Sequence, residues 1–244
     1  MDILFGNPSV TNKASSLWPV VCDYTQLEKT LQRAAVRATN LGHPILASFT
    51  QPIVGCDPLE MFTTFQSLHI GDSFFWARPA EQHILIGTGT ATTITTMGSD
   101  CIGTAATIWR DLQKHIVSGQ ASQIPPDSTS GPVLFGGFAF DPLNSHTPLW
   151  EGFPDGLLIL PRLLFHCKEA HATLTINTMI QPETDIQEIT QEICTTLQQL
   201  NTILEQRVVS PQETVVAQNP RQKISIHDLL QPTEWMAQIA TPSR

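Results

Sequence analysis

His166, Cys167 and His171 form a short run of side chains that could hold a metal. On a strand, His166 and Cys167 would point to opposite faces, and no second cluster completes four ligands. The run therefore reads as structural. Gly87-Thr88-Gly89 is a lone GxG. A dinucleotide fingerprint needs a third glycine opening a helix and an acidic residue about 20 positions on. The next segment here, TATTITT, is β-branched, so the glycines read as a tight turn. No GxSxG elbow exists for a serine nucleophile. A Cys–His pair stays open, without local support. The acids Glu183, Asp185, Glu188 and Glu192 sit at or on a predicted helix, where they favour its N-terminus and solvate its outer face. These residues assign no catalytic, cofactor-binding or metal-binding role.

Gly136-Gly137 is a different kind of signal. It interrupts the apolar run GPVLFGGFAFDP, residues 131–142. Two glycines weaken a strand unless the backbone bulges or another segment comes too close for a Cβ. Phe138 continues the run, and Asp141-Pro142 closes it with a turn in which the aspartate bonds backbone N–H groups. The structural motif is Gly136, Gly137, Phe138, Asp141, Pro142 and the later Trp150. Glycine brings backbone freedom and no reactive group, so this is a fold-critical site.

The positioning elements follow from periodicity. A helix opens at Thr25 with a capping box to Glu28, carries Leu27, Leu31, Ala34, Ala35 and Ala38, and stops at Gly42. Strands are expected over 44–50, 73–78, 83–87 and 91–96, paired antiparallel because the turns between the later three are short. A helix over 104–117 places Ile108, Leu112 and Ile116 on one face, and Gly119 ends it. Residues 119–131 read as a loop. Strands over 157–166 and 172–178 precede the clearest helix, 185–205, striped by Ile186, Ile189, Ile193, Leu197, Leu200 and Leu204. The fold class is α+β, mainly antiparallel sheet flanked by helices. Residues 1–205 form the α+β portion, 206–230 a linker, and 231–244 the start of a further helical segment.

Composition narrows the function. The net charge is −9, from 22 acidic and 13 basic side chains, and no cluster of basic residues exists to neutralise phosphates, so nucleic acid is not an expected partner. Lys29, Arg33 and Arg37 read as a solvated helix edge. Only 14% of the residues are charged, which implies that much of the surface is uncharged or covered. No run approaches the length of a membrane span, and no signal peptide is visible. The five scattered cysteines fit reduced thiols in a cytoplasmic protein.

The ordered set of motifs resembles the isochorismate synthases. GPVLFGGFAFDP, Trp150, Phe153-Pro154 and the LPR of 160–162 are similar to one signature run of that family. FFWARP at 74–79 and IGTGTA at 86–91 resemble an earlier one. Glu234-Trp235 resembles the opening of the family's chorismate-binding segment. The resemblance covers about 40–242. Phe138 and Phe140 favour isochorismate synthase over anthranilate and aminodeoxychorismate synthases, whose Gly-Gly run typically carries tyrosines. The resemblance implies the amino-terminal half of the anthranilate synthase component I and isochorismate synthase fold. It also implies a reaction in which water adds to chorismate and hydroxide leaves. That needs a base, an acid and Mg²⁺ for the dianion. In the family those groups lie in the carboxy-terminal half, so no catalytic or metal residue is carried over, and Mg²⁺ belongs to the full-length enzyme. The expected partner is that catalytic half, with self-association through an exposed apolar face as a further expectation. The implied pathway is menaquinone or siderophore synthesis. The alternatives are a non-catalytic binding or regulatory module built on the same half-fold, and the corresponding part of another chorismate-utilising enzyme such as anthranilate or aminodeoxychorismate synthase.

Overall fold

The computed structural model describes residues 20, 22–53, 57–121, 131–141, 152–169 and 171–209. Helix α1 (Tyr24–Leu41) starts one residue before the expected cap. Asp23, not Thr25, is the N-cap: its carboxylate accepts from the Gln26 N–H at 3.1 Å. Thr25 already lies inside the helix, so its hydroxyl cannot serve. Gly42 does end the helix, in the left-handed conformation at φ 68°, with its N–H donating to the Ala38 carbonyl at 2.8 Å. Arg33 and Arg37 are not merely solvated. Their guanidinium groups donate to the carbonyls of Ser118 (3.0 Å) and Lys114 (3.2 Å).

A second helix was not expected. α2 (Pro58–Ser67) is capped by Asp57, whose carboxylate accepts from the N–H groups of Leu59 and Glu60. Proline at the first helical position and an acid in the first turn complete its signal. α2 buries Met61, Thr64 and Phe65.

Six strands form the main sheet, in the order β2-β3-β8-β9-β1-β5. They are β1 (Ile45–Ile53), β2 (Ser73–Arg78), β3 (His83–Thr88), β5 (Val117–Gln120), β8 (Leu163–Lys168) and β9 (His171–Ile180). A single 3₁₀ turn, Pro79–Glu81, joins β2 to β3. All pairings are antiparallel except β1 with β5, which is parallel. Gly119 therefore sits in a strand rather than at a helix end. A Cβ there would collide with the Thr30 hydroxyl of α1, so glycine lets the helix approach.

Cross-strand partners share a face. Phe49, Phe165, Leu174, Ile86 and Ile176 point to the side covered by α1, α2 and the long helix α4 (Ile186–Val209), and form the core with Leu31, Phe65, Leu197 and Leu200. The predicted stripe of α4 is buried there, with Ile186 and Ile189 at its margin. Asp185 caps the helix through the Gln187 N–H at 2.8 Å. The opposite face mixes buried polar side chains, Ser48, Thr50, Thr175 and Asn177, with the buried Leu46 and Leu164.

Three further strands, β4 (Thr92–Thr96), β7 (Gly156–Leu160) and β6 (Phe135–Phe138), form a second sheet in the order β4-β7-β6. Two expectations fail here. The strand 91–96 does not continue the β2–β3 meander, and 157–166 is two strands in two sheets. One cause serves both. Gly89, at φ 66°, and Pro161-Arg162 kink the β3–β8 ladder into the β4–β7 ladder. The kink is held by Ala91 N–H to Leu160 O (2.8 Å) and Arg162 N–H to Gly89 O (3.3 Å). Asn177 clamps it: its amide donates to the Pro161 carbonyl (2.9 Å) and accepts from the Ser48 hydroxyl (2.8 Å).

Helix α3 (Cys101–His115) contacts β4, β7 and β1. It buries Cys101 and Ala105 rather than the expected stripe. Ile108 is 37% exposed, and Ile116 lies beyond the helix end. No helix among the described residues is long and apolar enough to cross a membrane.

Candidate functional site

The Gly-Gly motif lies on β6, paired to β7 in the register Gly136↔Leu158 and Gly137↔Leu157. The two glycines are not equivalent. Gly136 has φ 154°, and a Cβ on it would run into the Leu157 carbonyl oxygen. A Cβ on Gly137 would meet nothing within 4 Å. The Phe138 ring folds over Gly156, within 2.8 Å of where a Cβ there would stand, and Thr96 presses from the other side. Asp155 ties the strand ends together. Its side chain, on a residue 3% exposed, accepts from the Gly98 N–H at 2.5 Å, and its carbonyl accepts from the Ala139 N–H at 2.7 Å. Asp141 closes the described stretch after β6, and Pro142 and Trp150 lie outside the described residues. Asp155 and Gly156 were missed, although an Asp-Gly pair before an apolar run is a turn signal.

At the kink, Phe135 stacks on Phe74 with ring centres 5.4 Å apart. Gly87 lies beneath: a Cβ there would meet Pro161 at 2.9 Å and the Phe135 ring at 3.2 Å. The first glycine of the GxG thus makes room for packing, and the second makes the turn.

A cluster with two histidines on the face opposite the core joins β2, β3, β8 and β9. Trp76, Leu85, His166 and Thr173 are successive cross-strand neighbours. The His83 ring stands edge-on to His166 at 4.8 Å and to Trp76 at 5.3 Å. His166 Nε2, His83 Nε2 and Thr173 Oγ1 are buried without hydrogen-bond partners. Burial, then the charges of His83 and Lys168, push the His166 pKa down to about 4. The group is therefore neutral at pH 7. In the unfolded chain it protonates near pH 6.5, so protons favour unfolding. Stability is expected to be intact above about pH 6.5 and to fall by roughly 3 kcal/mol as pH drops to about 4. Urea titrations of the wild type and of His166→Phe across this window check it. A wild-type slope that the substitution leaves unchanged would assign the loss to other groups.

Cys167 lies on the opposite face, packed against the core. Burial raises its thiol pKa and that of Cys194, and burial with the nearby Cys194 and Asp23 pushes Cys22 up to about 12. These thiols are poor nucleophiles at neutral pH. Glu192 pairs with Arg162 at 2.8 Å. Among the described residues no group of three His, Cys, Asp or Glu could hold a metal. An open groove of about 520 Å³ beside α3 is lined by His43, Leu46, Ile108, Leu112 and His115. Its lysine, Lys114, is engaged with Asp111 at 2.7 Å. His43 and His115 stand edge-on in it, with ring centres 5.3 Å apart.

The sequence profile of the chorismate binding enzymes matches residues 29–242. The chain belongs to the chorismate-binding enzyme family. Within the family it is similar to isochorismate synthase MenF of Bacillus subtilis (strain 168), 28% identical over 166 residues. That alignment covers 66% of this chain and 35% of the relative. Among solved structures it matches MenF, the menaquinone-specific isochorismate synthase from Escherichia coli, at 18% identity and a TM-score of 0.40. That match covers 70% of this chain and 34% of the other. The chain thus spans about a third of the length of the relatives it matches. The profile match, residues 29–242, takes in β1 to β9, including the Gly-Gly strand and both sides of the kink.

Proposed function

We propose that this chain is the amino-terminal portion of an isochorismate synthase, of menaquinone or siderophore synthesis, and that it serves as the scaffold for the enzyme's catalytic portion. The observation that carries the reading is the sequence similarity to an isochorismate synthase over a third of that enzyme's length. Chemistry supports the division of labour. Moving a hydroxyl on chorismate requires a base to activate water, an acid to protonate the departing hydroxide, and a cation for the dianion. The titratable cluster is built on His166, which burial keeps neutral at pH 7, and among the described residues no trio of ligands suits Mg²⁺. No step is therefore routed through that ion in this chain. A net charge of −9 also disfavours a dianion.

The test is turnover. The chain alone, with chorismate and Mg²⁺, is expected to form no isochorismate. Mixed with the carboxy-terminal two-thirds of the Bacillus subtilis relative, it is expected to restore formation. Clear turnover by the chain alone would sink the scaffold reading. The isolated chain is further expected to melt broadly or to self-associate, because large apolar side chains stand in water. A sharp melt from a dispersed monomer would favour a free-standing binding module instead.

A further inference from the structure

No basic cluster is visible along the sequence, but the main sheet assembles one. Arg78 on β2, His83 on β3, Lys168 on β8 and His171 on β9 are successive cross-strand partners, so all four start from the face opposite the core. They come from two distant stretches, 78–83 and 168–171. His166 stands in the next row, with its ring 4.8 Å from that of His83. The chain as a whole carries −9, so this end of the sheet is a local exception. Two acids lie near it. Glu81, on the turn between β2 and β3, pairs with Arg78 at 2.9 Å. Glu169 follows Lys168, and its N–H donates to the Gln82 carbonyl. Lys168 itself is exposed and meets no acid among the described residues. Beneath this row, polar atoms lack partners. His166 and Thr173 are only 8% and 7% exposed, and His166 Nε2, His83 Nε2 and Thr173 Oγ1 make no hydrogen bond. Buried polar groups on adjoining side chains call for a partner that can satisfy several at once.

The sign of that partner follows from the charges around it. A metal cation does not fit: Arg78 and Lys168 flank the place, and two histidines are too few ligands for a closed site. An anion meets both needs. Its charge faces the lysine, and its oxygens accept from ring N–H groups and a hydroxyl. We propose that this end of the six-stranded sheet is an oxyanion-binding site, in which Lys168 and His171 meet the charge while His83, His166 and Thr173 donate to the oxygens. The ligand class is a small phosphate or carboxylate. Trp76, 41% exposed and edge-on to His83 at 5.3 Å, supplies an apolar wall for the body that carries the anion. The site uses nothing from a catalytic portion, so it is independent of the scaffold reading above. An anion beside His166 favours its charged form, so binding takes up a proton and tightens as pH falls.

The full chain is titrated with inorganic phosphate and, separately, with acetate, at constant ionic strength balanced by chloride. Histidine ring signals in NMR are the readout. The His83 and His166 signals are expected to shift saturably with at least one of the two anions, and the His166 midpoint to move to higher pH. The anion that binds more tightly names the class, phosphate or carboxylate. Lys168→Glu changes an exposed side chain, so the melt is expected to be unchanged while binding weakens at least tenfold. Lys168→Arg is expected to keep it. Lys29→Glu, exposed on α1, makes the same change in net charge and is expected to leave binding unaltered. Saturation by neither anion would overturn the proposal. So would equal losses in Lys168→Glu and Lys29→Glu, which would reduce the effect to net charge.

Discussion

Alanine at position 136 is expected to cost about 3–5 kcal/mol, from a backbone angle disfavoured for side chains and from overlap with a neighbouring strand. The same change at position 137 is expected to be neutral or slightly stabilising. The contrast is sharp because the residues are adjacent, equally small and part of one motif. A Cβ on Gly136 meets the Leu157 carbonyl oxygen, the atom of the partner strand least able to move without breaking the ladder. At Gly137 the Cβ meets open space, and alanine reduces the freedom of the unfolded chain. For a unit of this size, the Gly136→Ala loss corresponds to a drop in Tm of roughly 6–20 °C. Amide exchange would add location: protection should fall first on β6 and β7. Equal melting temperatures for the two variants would remove Gly136 from its role as the point of closest strand approach.

Asn177→Leu is the second large effect. The asparagine is wholly buried and ties the kink to β1, donating to Pro161 and accepting from Ser48. Leucine fills the space but leaves a buried carbonyl and a buried hydroxyl without partners. Each orphan costs about 1–3 kcal/mol, so the sum is on the order of 2–6 kcal/mol. Urea unfolding measures it. A cycle with Ser48→Ala separates the pair: the double variant should be less damaged than the two singles added together. A loss below about 1 kcal/mol for Asn177→Leu would mean that the kink is held by its backbone bonds alone.

The sequence made some of this legible. α4 was readable because six apolar residues recur at helical spacing, and β2 because aromatic residues run between turn signals. Gly42 announced itself as a stop. The kink was not readable. Nothing in Leu157 to His166 says that Pro161 divides it, because the division is held by Asn177, on another strand, donating to the Pro161 carbonyl. The parallel β5 was hidden for a similar reason: four residues around Gly119 carry too little pattern, and their partner lies far away in sequence. α2 was missed although Asp57-Pro58 and Glu60 spell a helix start. The face of α3 was misassigned because its neighbours are the small second sheet and β1, which demand only Cys101 and Ala105. At the Gly-Gly motif, sequence could say that some glycine was required. Only the position of Leu157 distinguishes which.

The pairing of β1 with β9 has a consequence for synthesis. Ser48 on β1 meets its partner Asn177 on β9 across 129 residues, and Val20 waits for Asn201 across 181. At typical elongation rates of about 5–20 residues per second, β1 leaves the ribosome roughly 6–26 s before β9 is available. For that interval the Ile45, Ala47 and Phe49 face has neither its neighbouring strand nor α4. The nascent chain is therefore a natural client for chaperones that bind short apolar segments, and faster translation through residues 50–170 should raise its soluble yield.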